Sequence, residues 1–146
     1  MSFATTLQKR MEFIDKVDAV RQTYYIFKAE DWYLVFSLSV TKRGSGNFNL
    51  ISSESVEYIY KRFTGEHRVT SADIVARAKR TKHAPNSLVA LNILYVLVAQ
   101  QRASIQSVGS HSKLYFAILS PRSRARLLGK RAKKKVARKR ARKRGK

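Results

Sequence analysis

Residues 85–101 read PNSLVALNILYVLVAQQ, and the way this stretch is covered decides the fold. Pro85 restarts the chain, and Asn86 or Ser87 can accept a hydrogen bond from a free backbone N–H, so a helix is predicted from there to about Gln101. Its apolar residues are not confined to one stripe. Leu88, Leu91, Leu94, Tyr95 and Val98 suffice for one buried face, which leaves Val89, Ile93, Val96 and Leu97 in need of cover. The N-terminal part of the chain can supply it, or a second subunit can, in a homodimer through helix 88–99. The apolar run Leu88 to Ala99, broken by Asn92, is too short to span a bilayer, which needs roughly 20 such residues.

Working outward, Thr70-Ser71-Ala72-Asp73 has the form of a capping box and opens a short helix to Arg80 that turns Ile74, Val75 and Ala78 inward. Before it, Ser52-Ser53-Glu54 starts a helix with Val56, Ile59, Tyr60 and Phe63 on one face, ended by Gly65. After residue 101, two runs (103–108 and 113–119) flank Gly109-Ser110-His111-Ser112 as a β-hairpin. Near the N-terminus, Thr23 to Lys28 and Asp31 to Val40 are rich in aromatic and branched residues and read as strands. In the second, Trp32, Leu34, Phe36, Leu38 and Val40 form the face expected to be buried, against Tyr33, Val35, Ser37 and Ser39. Lys42 to Gly46 is a turn, and Asn47 to Ile51 closes a three-stranded meander. Leu7, Met11, Ile14 and Val17 recur at helical spacing, so Thr5 to Val20 is predicted to be an amphipathic helix.

These elements give an α+β fold. Residues 1–52 form an N-terminal helix and an antiparallel β-meander, 53–120 a helical half with a C-terminal β-hairpin in the same globular unit, and 121–146 a disordered Lys/Arg-rich tail.

The order from Glu54 to Leu119 resembles the winged-helix variety of the helix-turn-helix superfamily. VTSADIVARAKR (69–80) corresponds to the first helix of the motif, PNSLVALNILYVLVAQQ to the second and ASIQSVGSHSKLYFAIL (103–119) to the wing. The resemblance implies that the helix beginning near Asn86 enters the major groove with its first turn forward, while the wing touches backbone or minor groove. Lys82, His83, Asn86, Ser87 and Asn92 are then expected to face DNA, with Lys79 and Arg80 near phosphates. Arg102 and Lys113 flank the wing, with Ser110, His111 and Ser112 at its tip. A reading helix should carry a polar outward stripe, however, and residues 88–99 carry almost none; the alternative is a central core helix.

The charge distribution is the strongest pointer to a partner. The net charge is +22, but residues 1–73 hold ten basic and nine acidic residues, whereas 74–120 hold six basic and no acidic ones. The last twenty-six residues add fifteen cations and no acid: Arg122, Arg124, Arg126, Lys130, Arg131, Lys133, Lys134, Lys135, Arg138, Lys139, Arg140, Arg142, Lys143, Arg144 and Lys146. Such a tail repels itself in isolation and is attracted to a polyanion, because each cation that neutralises a phosphate releases condensed counterions. If about 6 to 10 of them engage, affinity falls by roughly 10³ to 10⁵ between 50 and 200 mM salt. The expected function is non-catalytic nucleic-acid binding, DNA favoured over RNA, architectural or nucleoid-type rather than transcription-regulating. KRAKKK and RKRARKR also have the form of nuclear-localisation signals.

Other chemistries find less support. With no cysteine, disulfides and thiolate metal sites are excluded. His67, His83 and His111 have no partner at metal-ligand spacing, so no metal or other cofactor is expected. Glu54 with Glu57, or Asp15 with Asp18, lie one helical turn apart and define a remote alternative, a Mg²⁺-dependent nuclease. The glycine-containing KRGSG lacks the length and ending of a phosphate-binding loop. The main alternative is an RNA or single-strand binder that stacks bases on Tyr24, Tyr25, Phe27, Trp32, Tyr33 and Phe36. MSFATTLQKRMEF does not read as a secretory signal, so an intracellular protein is expected, with no membrane partner, nucleoid-associated in a prokaryote or nuclear in a eukaryote or its virus.

Overall fold

The computed structural model describes residues 11–20, 22–39, 44–108 and 113–144. Their fold is α+β. Strands β1 (Glu12–Asp18), β2 (Gln22–Ala29), β3 (Trp32–Ser39) and β4 (Gly46–Ser52) form an antiparallel sheet in sequential order. Helices α1 (Ser53–Phe63), α2 (Ser71–Ala78) and α3 (Ser87–Ala99) follow, then the hairpin β5 (Ala103–Val108) and β6 (Leu114–Ile118), and last helix α4 (Pro121–Arg144). Between α1 and α2, Val69 forms an isolated antiparallel bridge to Phe116, which ties the helical layer to the hairpin.

Helix α3 is the centre of the molecule. It packs against α1, α2, β5 and all four strands of the sheet. Ala90, Ile93, Leu94, Tyr95, Val96 and Leu97 are buried on every side of it. The sheet supplies the cover that a helix apolar all round requires: Tyr24 of β2 stacks on Tyr95 with ring centroids 4.1 Å apart. Of the two covers weighed for helix 88–99, the N-terminal part of the chain and a second subunit, the first is the one present, within one chain. Each fully buried Ile or Leu here contributes about 1.5–3 kcal/mol relative to exposure. Tyr95 pays for its place in titration behaviour, since burial, with Tyr24 beside it, pushes its phenol well above the usual range.

The helix caps follow the sequence closely. Ser55 N donates to Ser52 Oγ at the start of α1. At α2, Asp73 N donates to Thr70 Oγ1 while Thr70 N donates to Asp73 Oδ2, a reciprocal capping box. Val89 N donates to Asn86 Oδ1 at the start of α3. After α1, Gly65 takes φ +84°, the left-handed conformation that relieves a helix end.

Three expectations are corrected. First, the segment expected to continue an amphipathic helix to Val20 contains β1; residues 1–10 lie outside the described ones. A register shift between Phe13 and Asp15 places an extra residue, Ile14, in the strand. Ile14 and Val17, three apart, thus both pack against the core, and a bulged strand mimics helical spacing. Second, the core face of β3 is the other one. Tyr33, Val35 and Ser37 turn toward α3 and are buried; of the row expected inside, Leu34 is buried, Phe36 is partly so, Trp32 and Leu38 are about half exposed, and Val40 lies outside the described residues. The apolar outer row follows the strand period as expected, but only the position of α3 decides which row faces the helical layer.

Third, the tail expected to be disordered is helical from Pro121 to Arg144. Pro121 stands at the first helical position, where a missing N–H costs nothing. Ser123 N donates to Ser120 Oγ and Arg124 N to Ser120 O. Ala, Leu, Lys and Arg are the best helix formers, and like-charge pairs one turn apart cost only a few tenths of a kcal/mol each. The cations of the last turn, Arg142, Lys143 and Arg144, complement the helix dipole. No helix among the described residues is long and apolar enough to cross a membrane.

Candidate nucleic-acid interface

Helix α4 carries fourteen Lys and Arg and no acid, along about 36 Å of axis at 1.5 Å per residue. Its root is fixed to the body. Arg124 Nη2 donates to Gln100 O at 3.1 Å, at the end of α3, and Leu127 is half-buried beside it. Just before the helix, Tyr60 Oη donates to Leu119 O and Leu119 N to Arg102 O. From Leu128 onward every described residue is exposed. Ala132, Val136, Ala137 and Ala141 make one narrow strip of small side chains, bordered by Lys133, Arg140 and Arg144. None of the ion pairs among the described residues involves an α4 cation. Lys146 lies outside the described residues.

The body adds a second group of cations. Lys79 and Arg80, just past α2, share a hollow with Arg62 from α1, together with Tyr58 and Thr81. All three cations are exposed, and cations beside a helix C-terminus are stabilised by the dipole. Arg77 lines the same hollow but is occupied. Its two terminal nitrogens donate to Glu66 at 2.5 and 2.7 Å, and its guanidinium lies 4.1 Å from the centre of the Phe63 ring. These hydrogen bonds hold the Glu66 carboxyl below its ordinary range and raise Arg77.

The residues expected at the reading helix separate into two groups. Lys82, Asn86 and Ser87 are exposed, so the entry to α3 does face solvent. Lys82 Nζ is 3.6 Å from Glu54 Oε2, a solvated pair. His83 is only half-exposed. It stacks on Tyr58 with centroids 4.4 Å apart, and its Nδ1 lies 3.0 Å from Ser55 Oγ. Asn92, expected to face DNA, is buried, and its amide donates to Leu88 O at 2.9 Å. The sheet, α1, α2 and β5 together leave little of α3 open past its first turn.

Arg102 is likewise a packing residue rather than a free cation. It is bound through both terminal nitrogens to Glu57, and its guanidinium lies 3.7 Å from the centre of the Tyr60 ring. At the hairpin, Lys113 is exposed, with its Nζ 5.8 Å from the centre of Tyr115; Arg68 lies over the same ring at 4.6 Å. Ser110, His111 and Ser112 lie outside the described residues. Arg62 and Arg68 escape sequence reasoning because each joins its cluster through folding: Arg62 meets Lys79 across two helices, and Arg68 meets the hairpin through the Val69 bridge.

Of the carboxylate pairs weighed for a metal, Glu54 and Glu57 do lie one turn apart on α1, but each faces a cation. Glu57 is held by Arg102 and Glu54 by Lys82. Asp15 and Asp18 lie on a strand, where a spacing of three sends side chains to opposite faces. Among the described residues, no three His, Asp or Glu side chains form a metal-holding group. The six aromatics weighed as an RNA platform are also divided: Tyr24 and Tyr33 turn inward, and Tyr25, Phe27, Trp32 and Phe36 belong to the outer rows. Comparison with protein-family models, with characterised proteins and with solved structures returned no match.

Proposed function

We propose that this chain is a non-catalytic nucleic-acid-binding protein that grips duplex DNA through α4. The observation that carries this reading is the helix itself: fourteen cations on an exposed 24-residue helix, with no described ion pair of their own and with a hydrogen-bonded root. Duplex DNA bears one charge per about 1.7 Å of axis, so a rod of closely spaced cations meets a comparable line of phosphates. Lys79, Arg80 and Arg62, with Lys82, Asn86 and Ser87 at the entry to α3, supply a second contact from the body. The order α1, Val69 bridge, α2, α3 and hairpin supports the winged-helix resemblance, and the burial of α3 beyond its first turn limits base contacts to that turn. The role that follows is architectural or nucleoid-type more than sequence-reading, in a nucleoid or a nucleus.

The test is a salt titration of binding to a short duplex for the full chain and for a chain ending at Ser120. The full chain should lose roughly 10³ to 10⁵ in affinity from 50 to 200 mM salt. The shortened one should bind weakly with a much flatter dependence; equal binding by the two removes α4 from the interface.

A further inference from the structure

The outer face of the four-stranded sheet has no described element packed on it, and its composition is that of an interior. Phe13, Phe27, Phe36 and Phe48, one from each strand, run edge to edge across it with ring centroids 5.2, 5.5 and 4.8 Å apart. The cross-strand register adds Trp32, Leu38 and Leu50 to the same face. Phe13, Trp32, Leu38, Phe48 and Leu50 are 51, 48, 55, 49 and 43% exposed. At about 200 Å² per large side chain, these five alone leave about 500 Å² of apolar surface open. The largest apolar patch on a monomer is about 300–600 Å² and is often functional. A stable interface buries about 800 Å² on each partner, so this patch is large enough to be its apolar centre.

The charges around the face select the occupant. A platform for single-stranded nucleic acid needs cations beside its stacked bases to hold the phosphates. Here Lys16 is the one cation the described register brings to this face, and it is already 3.9 Å from Asp18. Glu30 and Asp31 stand in the turn at the opposite ends of the strands. Among the described residues, then, no row of cations borders the rings to hold phosphates; Arg21, between β1 and β2, and Lys42 and Arg43, between β3 and β4, lie outside them. The rows between are uncharged, so they do not repel a copy of themselves despite the net charge of +22. The root of α4 lies at Gln100 in the helical layer, on the other side of the sheet.

We propose that this face docks a second copy of the chain, sheet against sheet, about a two-fold axis that matches each patch with itself. Two-layer β-packing of this kind interleaves the outer rows of both sheets, about 10 Å apart, and leaves both helical layers and both α4 roots on the far sides. This does not depend on the nucleic-acid reading.

The experiment is sedimentation equilibrium of the full, nucleic-acid-free chain in about 1 M salt, where the screening length falls to about 3 Å and tail repulsion is suppressed. The expected mass is twice 16.7 kDa, dropping to the monomer in Phe48→Glu and Leu38→Glu, with far-UV circular dichroism confirming that both variants fold. Trp32, the single tryptophan, gives a second readout on the unaltered chain: its emission should shift to the red on dilution. A monomer at high concentration overturns the proposal, as does a dimer insensitive to both substitutions. A monomer whose Trp32 is already shielded also overturns it, by assigning the face to residues 1–10. A monomer whose Trp32 is quenched by a single-stranded oligonucleotide overturns it in favour of a stacking platform.

Discussion

Arg102 and Glu57 face each other through two hydrogen bonds, 2.5 and 3.0 Å long, with the guanidinium side chain 16% exposed and the carboxylate 47%. The pair joins α1 to the start of the hairpin, forty-five residues away. Arg102, counted among the cations of a DNA surface when only the sequence is read, is thus committed to the fold. Arg102→Gln should lower stability to urea by about 1–3 kcal/mol, the range for losing a charged hydrogen bond, while the salt dependence of DNA binding stays unchanged. A reduced salt slope at equal stability would return Arg102 to the interface.

The same pair sets a pH dependence. Hydrogen bonds from Arg102 hold the Glu57 carboxyl below its ordinary value. Its contribution is complete above that ordinary value, near 4.5, and is lost as pH falls through the lower folded value. Because Glu57 is half exposed, the effect is discounted for screening to about 1 kcal/mol. Urea melts of the natural chain and of Glu57→Gln should differ at neutral pH and converge in acid; a gap that persists in acid contradicts the assignment.

Contacts along α4 can be counted. Replacing Lys130, Lys133, Lys134 and Lys135 with Gln removes four phosphate partners if all engage, which lowers the slope of log affinity against log salt by up to about 3.6. Fluorescence anisotropy on a labelled duplex measures it, and a slope that does not move would locate the contacts elsewhere.

Gly129 sits within α4 with nothing within 4 Å of an added Cβ. Gly129→Ala should therefore favour the helix by about 0.5–1 kcal/mol, visible as a stronger circular dichroism signal at 222 nm. No change in helicity would mean that residue 129 does not limit the helix.

Gly46 behaves in the opposite way. A Cβ there would stand 2.4 Å from Ser37 O in the paired strand, so Gly46→Ala must push β3 and β4 apart. A loss of about 1–3 kcal/mol is expected, read from thermal or urea unfolding; a neutral result would show that the hairpin yields easily.

Local signals were legible in the sequence. The caps at Ser52, Thr70 and Asn86, the turn at Gly65 and the strands through Tyr25, Val35 and Leu50 depend on residues a few positions apart, and the chain states them directly. What failed required knowledge of a distant neighbour. The bulge at Ile14 gave β1 the spacing of a helix. Which row of β3 is interior depends on where α3 lies, and Asn92 is buried because elements from both sides along the chain pack around α3. The candidate interface divides along the same line: the α4 cations are contiguous and visible, whereas Arg62 joins Lys79 and Arg80 only in three dimensions.

The central place of α3 also imposes an order on synthesis. The sheet leaves the ribosome first, but the inward rows through Ile26, Tyr33 and Val35 have no cover until Leu94 and Leu97 have been made. About 60 residues separate them, several seconds at a translation rate of roughly 5–20 residues per second. For that interval the inward rows of the nascent sheet wait for the helix that completes their cover.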